Sequence, residues 1–366
     1  MIASINELNN LSMFKPMLKR YECEIIVVDE GDGKLRDKNS RLLEELSYRF
    51  FGPKEREEWF KQRFGSSYEK YLSVIPVKCH AETSFGFLVA YEEEPDMIIE
   101  LDDDVFPVEG HDLVDLHWKN LSSNDGITVK SKGKWYNTVE NLELNKTNVK
   151  LFPRGHPYSH EARAEDYIWV SSTGACVLNM GLWVGHPDLD ALTILYHGGL
   201  DGLSPIEGTC CKRGKVIVDR GTYFAICSMN TAFLRKIIPA FYQLYMGHMG
   251  VDRFDDIWSG IFLKKIADHL GDGICMGKPL IQHRKRPRSI FKDLKSELEG
   301  MIINEVLWRI VDSIQLSGNE YYTCYQELTE KLEENLNEFN EKFHRDFIKL
   351  QVQKMKIWLN IIDKIE

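Results

Sequence analysis

The spacing of apolar residues over the first hundred positions predicts short strands that alternate with helices. Apolar residues recur every three or four positions over 8–18, which predicts a helix, and the compact apolar stretch 85–91 predicts a buried one. Short apolar runs at 24–28 and 97–101 predict buried strands, whereas residues 1–5 predict only a very short one. Strands separated by helices favour an α/β fold with a mainly parallel sheet.

The second half of the chain has a clear pattern only toward its end. Residues 110–225 mix turns with short apolar runs and predict no defined elements. Helices are predicted at 232–245 and at 255–270, where Gly271 ends the second one. Apolar steps of three and four over 328–350 predict one long amphipathic helix. Such a stripe requires a partner surface, which is either the body of the same chain or another subunit.

The composition predicts a folded protein that does not bind large polyanions. The chain has 366 residues, 43% of them hydrophobic, and a formal net charge of −10, which repels nucleic acid and anionic membranes. A phosphate group must therefore be met by local cations or a metal ion, which favours a small phosphorylated ligand. We find no apolar run long enough for a transmembrane segment and no signal-peptide pattern, so we expect a cytoplasmic protein. The eight cysteines form no C-x-x-C pair and are expected to be reduced and mostly buried.

An acidic, glycine-rich loop follows the strand predicted at 24–28. It contains Asp29, Glu30 and Asp32. Because ligands of open α/β sheets collect at the carboxyl ends of strands, we expect these side chains near a bound nucleotide.

Three consecutive aspartates follow the strand predicted at 97–101. Asp102 and Asp104 offer hard oxygen ligands from one side of an extended chain, and they could share a divalent cation. Asp103 then faces the other way and could contact a ribose or a backbone turn. A solvated acidic loop is the alternative, but the abrupt change from apolar strand to carboxylates favours a metal site.

Further candidate chemistry lies near the end of the predicted α/β region. His283 could be a third metal ligand or a structural histidine, and Lys285 could bind a diphosphate or belong to a solvated basic face. Asp255 and Asp256 begin a predicted helix, where they could cap it or act as a base or ligand for substrate hydroxyls.

Ten short segments, which occur in the same order along nearly the whole chain, resemble one known family. They are Phe51 to Lys54, Phe85-Gly86, Asp102 to Asp104, Arg154 to Ser159, Gly181 to Trp183, Pro187 to Ala191, Met229 to Phe233, Arg253 to Gly260, Asp268 to Gly271 and His283 to Lys285. This set is similar to the plant reversibly glycosylated polypeptides, also known as UDP-arabinopyranose mutases, and their microbial relatives.

The resemblance implies a glycosyltransferase-A type fold, with a nucleotide-sugar-binding domain at 1–290 and a helical extension at 291–366 that could mediate oligomerisation. It implies Mn²⁺ or Mg²⁺ as cofactor and a UDP-sugar, such as a UDP-pentose, as substrate. The expected metal ligands are Asp102, Asp104 and His283. The expected nucleotide contacts are Asp29, Glu30, Asp32, Lys54, Lys78, Asp103 and Lys285. The expected sugar contacts are Asp188, Asp190, Trp183, Asn230 and Trp258.

The family's behaviour implies that UDP is cleaved from the sugar, the sugar is held by the protein, and UDP is rejoined after the ring changes between pyranose and furanose. The family places its self-glycosylated arginine two positions after the serine that corresponds to Ser159, but Glu161 stands there in this chain and Arg163 follows. We therefore expect Arg163 or Arg154 in the catalytic role. The alternatives are a glycosyltransferase with a separate acceptor and a non-catalytic subunit of a homo- or hetero-oligomer.

Overall fold

The computed structural model describes the backbone of residues 1–366 and the side chains of residues 1–171 and 174–366, and it confirms the predicted α/β class. The strands are β1 (Ile2–Ser4), β2 (Glu24–Asp29), β3 (Ser47–Phe51), β4 (Ile98–Leu101), β5 (Val105–Pro107), β6 (Asp125–Ser131), β7 (Leu142–Leu144), β8 (Tyr167–Thr173), β9 (Cys176–Gly185), β10 (Gly208–Cys211), β11 (Lys215–Val218), β12 (Asn230–Phe233) and β13 (Gly273–His283). The helices are α1 (Asn9–Arg20), α2 (Gly33–Leu42), α3 (Pro53–Phe64), α4 (Tyr68–Leu72), α5 (Thr83–Glu93), α6 (Leu113–Ser122), α7 (Ala191–Tyr196), α8 (Asp255–Leu270), α9 (Ile290–Ser313), α10 (Tyr321–Glu334) and α11 (Lys342–Ile365).

The first sheet is parallel, as predicted, and has the order β1-β2-β3. Its central strand, β2, is buried from Ile25 to Asp29, which explains its continuous apolar sequence. A backbone hydrogen bond of 3.1 Å from Leu101 N to Met1 O links this sheet to β4 of the second sheet. The carboxyl ends of β1, β2 and β4 therefore lie along one edge.

The second sheet has the order β4-β12-β9-β13-β11-β6-β8 and is mixed. Its parallel pairs are β9 with β13 and β6 with β11, whereas β12 runs antiparallel to both β4 and β9. Helices α5, α6 and α8 pack against the strands, so the arrangement agrees with the glycosyltransferase-A type fold that the sequence resemblance implies.

The prediction of a helix at 232–245 is wrong. Residues Asn230–Phe233 form strand β12, which lies between β4 and β9, and Arg235–Ala240 form a short 3-10 helix that contains Pro239. This segment is buried almost throughout, so its apolar residues have no helical period. Pro239 also lacks the N–H that a continuing α-helix requires.

The helix predicted at 255–270 is confirmed as α8, which ends at Gly271 with a left-handed φ of 82°. The single long helix predicted over 328–350 is wrong because the chain leaves helical geometry between α10 and α11. Asn335 caps α10 by donating from its side chain to Lys331 O at 2.8 Å. Short polar side chains such as this one compete with the helical hydrogen bonds of the backbone.

The apolar stripe of the C-terminal helices packs on the same chain. Trp358 is fully buried, stacks on Tyr242 at a centroid distance of 5.0 Å, and donates from Nε1 to Pro239 O at 3.2 Å. This contact supports the first of the two partner surfaces considered above. The domain boundary at residue 290 and an oligomeric role of the extension remain predictions. Among the described residues, no helix has both the length and the apolar character needed to cross a membrane.

Candidate active site

The three consecutive aspartates lie where the strand edge turns into loops. They follow β4 directly, as predicted, and a cavity of about 180 Å³ opens beside them. The other side chains around this cavity include Ser4, Lys78, Cys79, His80 and Glu82. A larger cavity of about 550 Å³ opens at the opposite, amino ends of β2 and β4, but its lining is mainly apolar and it lacks the aspartates. The smaller cavity is therefore the better candidate for chemistry.

Asp103 faces the first strand. Its Oδ2 accepts hydrogen bonds from Ser4 Oγ at 2.6 Å and Asn6 Nδ2 at 2.9 Å, and its Oδ1 accepts one from Arg286 at 3.2 Å. The carboxylate thus ties the ends of β1 and β4 to the basic segment after β13. This orientation, away from its two neighbours, agrees with the alternation expected of an extended chain.

Asp104 lies beside His283, with Oδ2 3.6 Å from Nε2. His283 donates from Nδ1 to His186 O at 2.7 Å, which fixes the ring and points Nε2 toward the carboxylate. Burial opposes a negative charge on Asp104, but His283, Arg286 and Arg288 outweigh it and lower the pKa of this carboxyl. A metal-ligating histidine is commonly oriented through its second nitrogen in this way, so the donor set fits a divalent cation.

The predicted metal ligands do not all converge in this structure. Asp102 Oδ1 is instead 3.1 Å from His80 Nε2. Among the described residues, one group of three side chains has potential ligand atoms that all lie within 4.8 Å of one another. This group lies elsewhere, between α9 and the start of α11. Its members are Glu299, Glu341 and His344.

His80 connects two carboxylates from distant parts of the chain. It donates from Nε2 to Asp102 and from Nδ1 to Asp255 Oδ2 at 3.0 Å. Burial disfavours the imidazolium, but the two carboxylates outweigh this effect and raise the pKa of His80 well above its ordinary value. The first residue of α8 is therefore joined to the end of β4.

Arg154 lies in the interior and is fully engaged by two carboxylates. Its guanidinium contacts Asp256 through two hydrogen bonds of 2.9 and 3.0 Å, and Asp188 through atoms at 2.9 and 3.2 Å. It also donates to the carbonyl of Arg253. Burial raises the pKa of Asp188, but Arg154 outweighs it and brings this pKa down to about 2. Arg154 therefore has little free capacity for a phosphate or sugar.

Arg163 lies in a different environment, stacked between two aromatic rings. Its guanidinium carbon is 3.7 Å from the centroid of Tyr158 and 4.5 Å from that of Phe152. Nε donates to Pro157 O at 3.0 Å, while the buried Nη2 has no hydrogen-bond partner among the described residues. Asp190, a predicted sugar contact, accepts a hydrogen bond from the Tyr158 hydroxyl and therefore lies near Arg163.

The predicted nucleotide contacts differ in how free their side chains are. Glu30 pairs with the buried Arg56, and Asp32 caps α2 by accepting from Leu35 N at 2.9 Å. Asp29 is buried and accepts from Gly31 N at 3.1 Å. The lysines Lys54, Lys78 and Lys285 form no ion pair with the described residues, and burial lowers the pKa of the half-buried Lys285 to about 8.

Three predicted sugar contacts lie in the packed interior. Trp183 on β9 is 1% exposed, and Trp258 on α8 is fully buried and donates to Asn304 at 3.1 Å. Asn230 accepts from His117 at 3.0 Å and donates to Pro279 O at 3.0 Å. These contacts already occupy the polar groups of Trp258 and Asn230 and lie within the protein.

A model of the family described as "Reversibly glycosylated polypeptide" matches residues 1–366, the whole chain. The chain belongs to this family. Among the curated proteins that the chain is similar to, Probable UDP-arabinopyranose mutase 1 of Pisum sativum is 29% identical and UDP-arabinopyranose mutase 1 of Arabidopsis thaliana is 27% identical. UDP-arabinopyranose mutase 1 of Oryza sativa subsp. japonica is 28% identical. The alignments cover 100% of this chain and 90%, 91% and 90% of these relatives, respectively.

Two residues of the site have no signal in the sequence pattern. His80 lies 22 residues before Asp102 and 175 before Asp255, and His186 contributes only its backbone carbonyl to His283. A lone histidine carries no spacing that indicates such partners. Only the folded arrangement identifies them.

Proposed function

We propose that this chain is a divalent-metal-dependent mutase that converts a UDP-linked pentose between its pyranose and furanose forms. The proposal is supported by the full-length similarity to proteins named UDP-arabinopyranose mutase. The observation that carries the chemistry is the position of Asp104 beside His283, whose ring is oriented by the His186 carbonyl.

Asp102, Asp104 and His283 are the side chains that would hold the metal ion. Once bound, a divalent cation neutralises the diphosphate and stabilises UDP as a leaving group. Lys285 follows His283 by two residues and has a half-buried ammonium group that is free of ion pairs with the described residues. We assign it to a phosphate oxygen, because a desolvated cation without a partner strongly favours an anionic ligand.

The reaction requires no net oxidation and no water. The bond between the anomeric carbon and the diphosphate oxygen breaks, and its electron pair leaves with UDP. The C4 hydroxyl oxygen bonds to the anomeric carbon and loses its proton, while the bond from that carbon to the old ring oxygen O5 breaks and O5 keeps the electron pair and takes up a proton. A β-phosphate oxygen then attacks the anomeric carbon to reform the UDP-sugar. The protein must therefore hold UDP and the sugar together and keep water out until the bond has reformed.

We expect purified protein to convert UDP-arabinopyranose to UDP-arabinofuranose when Mn²⁺ is present and not when a chelator replaces it. Without the cation, the carboxylates of Asp102 and Asp104 repel the diphosphate. Separation of the nucleotide sugars by chromatography measures the product. Recovery of free UDP together with a glycoside would contradict the mutase and indicate a transferase. Equal conversion in the chelator would contradict the metal requirement.

We further propose that Arg163, rather than Arg154, accepts the sugar during the reaction. A buried guanidinium nitrogen without a hydrogen-bond partner is uncommon, and in Arg163 it is Nη2. In the covalent step, a guanidinium nitrogen bonds to the anomeric carbon, UDP departs with the electron pair of the broken bond, and the nitrogen passes one proton to the departing diphosphate. When the β-phosphate oxygen later attacks the anomeric carbon, the bond to the nitrogen breaks and the nitrogen takes a proton back. Arg154 is unsuited to this step because its nitrogens are bound by Asp188 and Asp256.

After incubation with UDP-sugar radiolabelled in the sugar, the wild-type protein is expected to retain label through denaturation and electrophoresis. The Arg163→Ala variant should lose this label because the acceptor nitrogen is removed. Arg309→Ala is the matched control, since Arg309 is a surface arginine on α9. Label that persists in Arg163→Ala would refute the assignment, and an active wild type that never retains label would exclude the covalent step.

A further inference from the structure

The imidazole of His80 is the side-chain contact that orients Asp102. The backbone of Asp102 is held on both sides, because its N–H donates to Met229 O at 3.2 Å and its carbonyl accepts from Asn10 Nδ2 at 2.9 Å. Its carboxylate, in contrast, contacts only His80 among the described side chains. The position of the two carboxylate oxygens therefore depends on this histidine.

His80 is itself held on a rigid support. It begins the short 3-10 helix His80–Glu82 that leads into α5, and its Nδ1 donates to Asp255 at the start of α8. Asp255 is 3% exposed, and the next residue, Asp256, is bound by the buried Arg154. One imidazole thus links the amino terminus of α8 to Asp102 at the end of β4.

We propose that His80 is a positioning residue that fixes one oxygen of Asp102 and thereby presents this carboxylate to the divalent cation. The inference rests on the proposed function, because it assumes that Asp102 and Asp104 bind the ion. Residues that hydrogen-bond to metal ligands fix their orientation, and their loss weakens metal affinity by about 10- to 100-fold.

Two near-isosteric substitutions separate this role from a purely structural one. In His80→Asn, the amide nitrogen takes the place of Nδ1, so the contact with Asp255 is kept and the contact with Asp102 is lost. In His80→Gln, the amide nitrogen takes the place of Nε2, so the contact with Asp102 is kept. The control is His269→Ala at the far end of α8, where the ring is exposed and donates from Nε2 to Gly318 O at 2.8 Å.

Mn²⁺ binding is measured with the full chain, in the presence and absence of UDP, by the electron paramagnetic resonance signal of free Mn²⁺. We expect His80→Asn to raise the Kd for Mn²⁺ by about 10- to 100-fold. His80→Gln should retain most of the affinity, and His269→Ala should match the wild type. Thermal unfolding of each variant shows whether it is folded. If His80 only stabilises the fold, the two variants should lose similar Mn²⁺ affinity, because each variant keeps one of the two hydrogen bonds. Mn²⁺ affinity that is retained in His80→Gln but lost in His80→Asn therefore supports the positioning role.

Different results overturn different parts of the proposal. Wild-type affinity in His80→Asn, or equal losses in His80→Asn and His80→Gln, would overturn the positioning role while leaving the metal-dependent mutase intact. A wild-type protein that binds no Mn²⁺, with or without UDP, would overturn both. Conversion of UDP-arabinopyranose by the same preparation then shows whether the mutase activity survives without the metal.

Discussion

Replacement of Arg154 by methionine is expected to lower the free energy of unfolding by about 3–5 kcal/mol, because it leaves two buried carboxylates without a counter-charge. Asp188 and Asp256 are 7% and 3% exposed, and both depend on the Arg154 guanidinium. A lysine at this position should rescue little, since an ammonium group cannot form paired contacts with two carboxylates.

Urea unfolding of the wild type and of Arg154→Met, followed by circular dichroism, measures this loss. Arg309→Met is the matched control, because Arg309 is 45% exposed and forms a surface ion pair with Glu305 four residues away. Adding Asp188→Asn and Asp256→Asn to Arg154→Met should recover part of the stability by removing the unpaired charges. A urea midpoint for Arg154→Met equal to that of the control would show that Asp188 and Asp256 do not depend on Arg154 for their stability in the interior.

Under the proposed metal-dependent mutase reaction, Asp104→Asn and His283→Ala are each expected to reduce the turnover of UDP-arabinopyranose by at least about 100-fold, since a metal ion held there would contribute several kcal/mol to leaving-group stabilisation. Both variants should remain folded. Asp104 is partly exposed to the cavity, and the polar contacts of the His283 ring with the described residues are those with Asp104 and the His186 carbonyl.

Initial rates of UDP-arabinofuranose formation at saturating Mn²⁺ measure the loss, and thermal unfolding verifies the fold. Asp37→Asn and His269→Ala are matched controls at exposed positions of α2 and α8 and should retain wild-type rates. A wild-type rate in Asp104→Asn or in His283→Ala would remove that residue from the metal site.

The elements that could be predicted from the sequence are those whose pattern is local. The strand at 97–101 and the aspartates after it are adjacent in the chain, so an apolar run followed by carboxylates was sufficient to indicate the site. The helix at 255–270 has amino-terminal carboxylates and a terminal Gly271. In contrast, the stretch at 232–245 is buried apart from the exposed Lys236 and a few half-buried positions, and burial without a continuous polar face removes the periodicity that separates a strand from a helix.

The candidate site was less predictable because most of its contacts are long-range. The sequence resemblance indicated Arg154 but not its engagement by Asp188 and Asp256, which lie 34 and 102 residues away. Trp258 was grouped with the sugar contacts by its segment, yet its side chain faces Asn304 in the interior. Proximity in a motif does not specify which face of a helix a residue occupies.

The parallel pairing of β9 with β13 has a consequence for how the proposed metal site can change during evolution. The pairing sets His283 opposite Gly185, one residue before the carbonyl that orients the imidazole. Gly185 has a φ of 82°, and a side chain there would place its Cβ 2.8 Å from His283 O. Position 185 is thus constrained although it offers no functional group. A substitution there would press on the His283 backbone, so the proposed metal binding could be lost in a descendant that still has every candidate ligand.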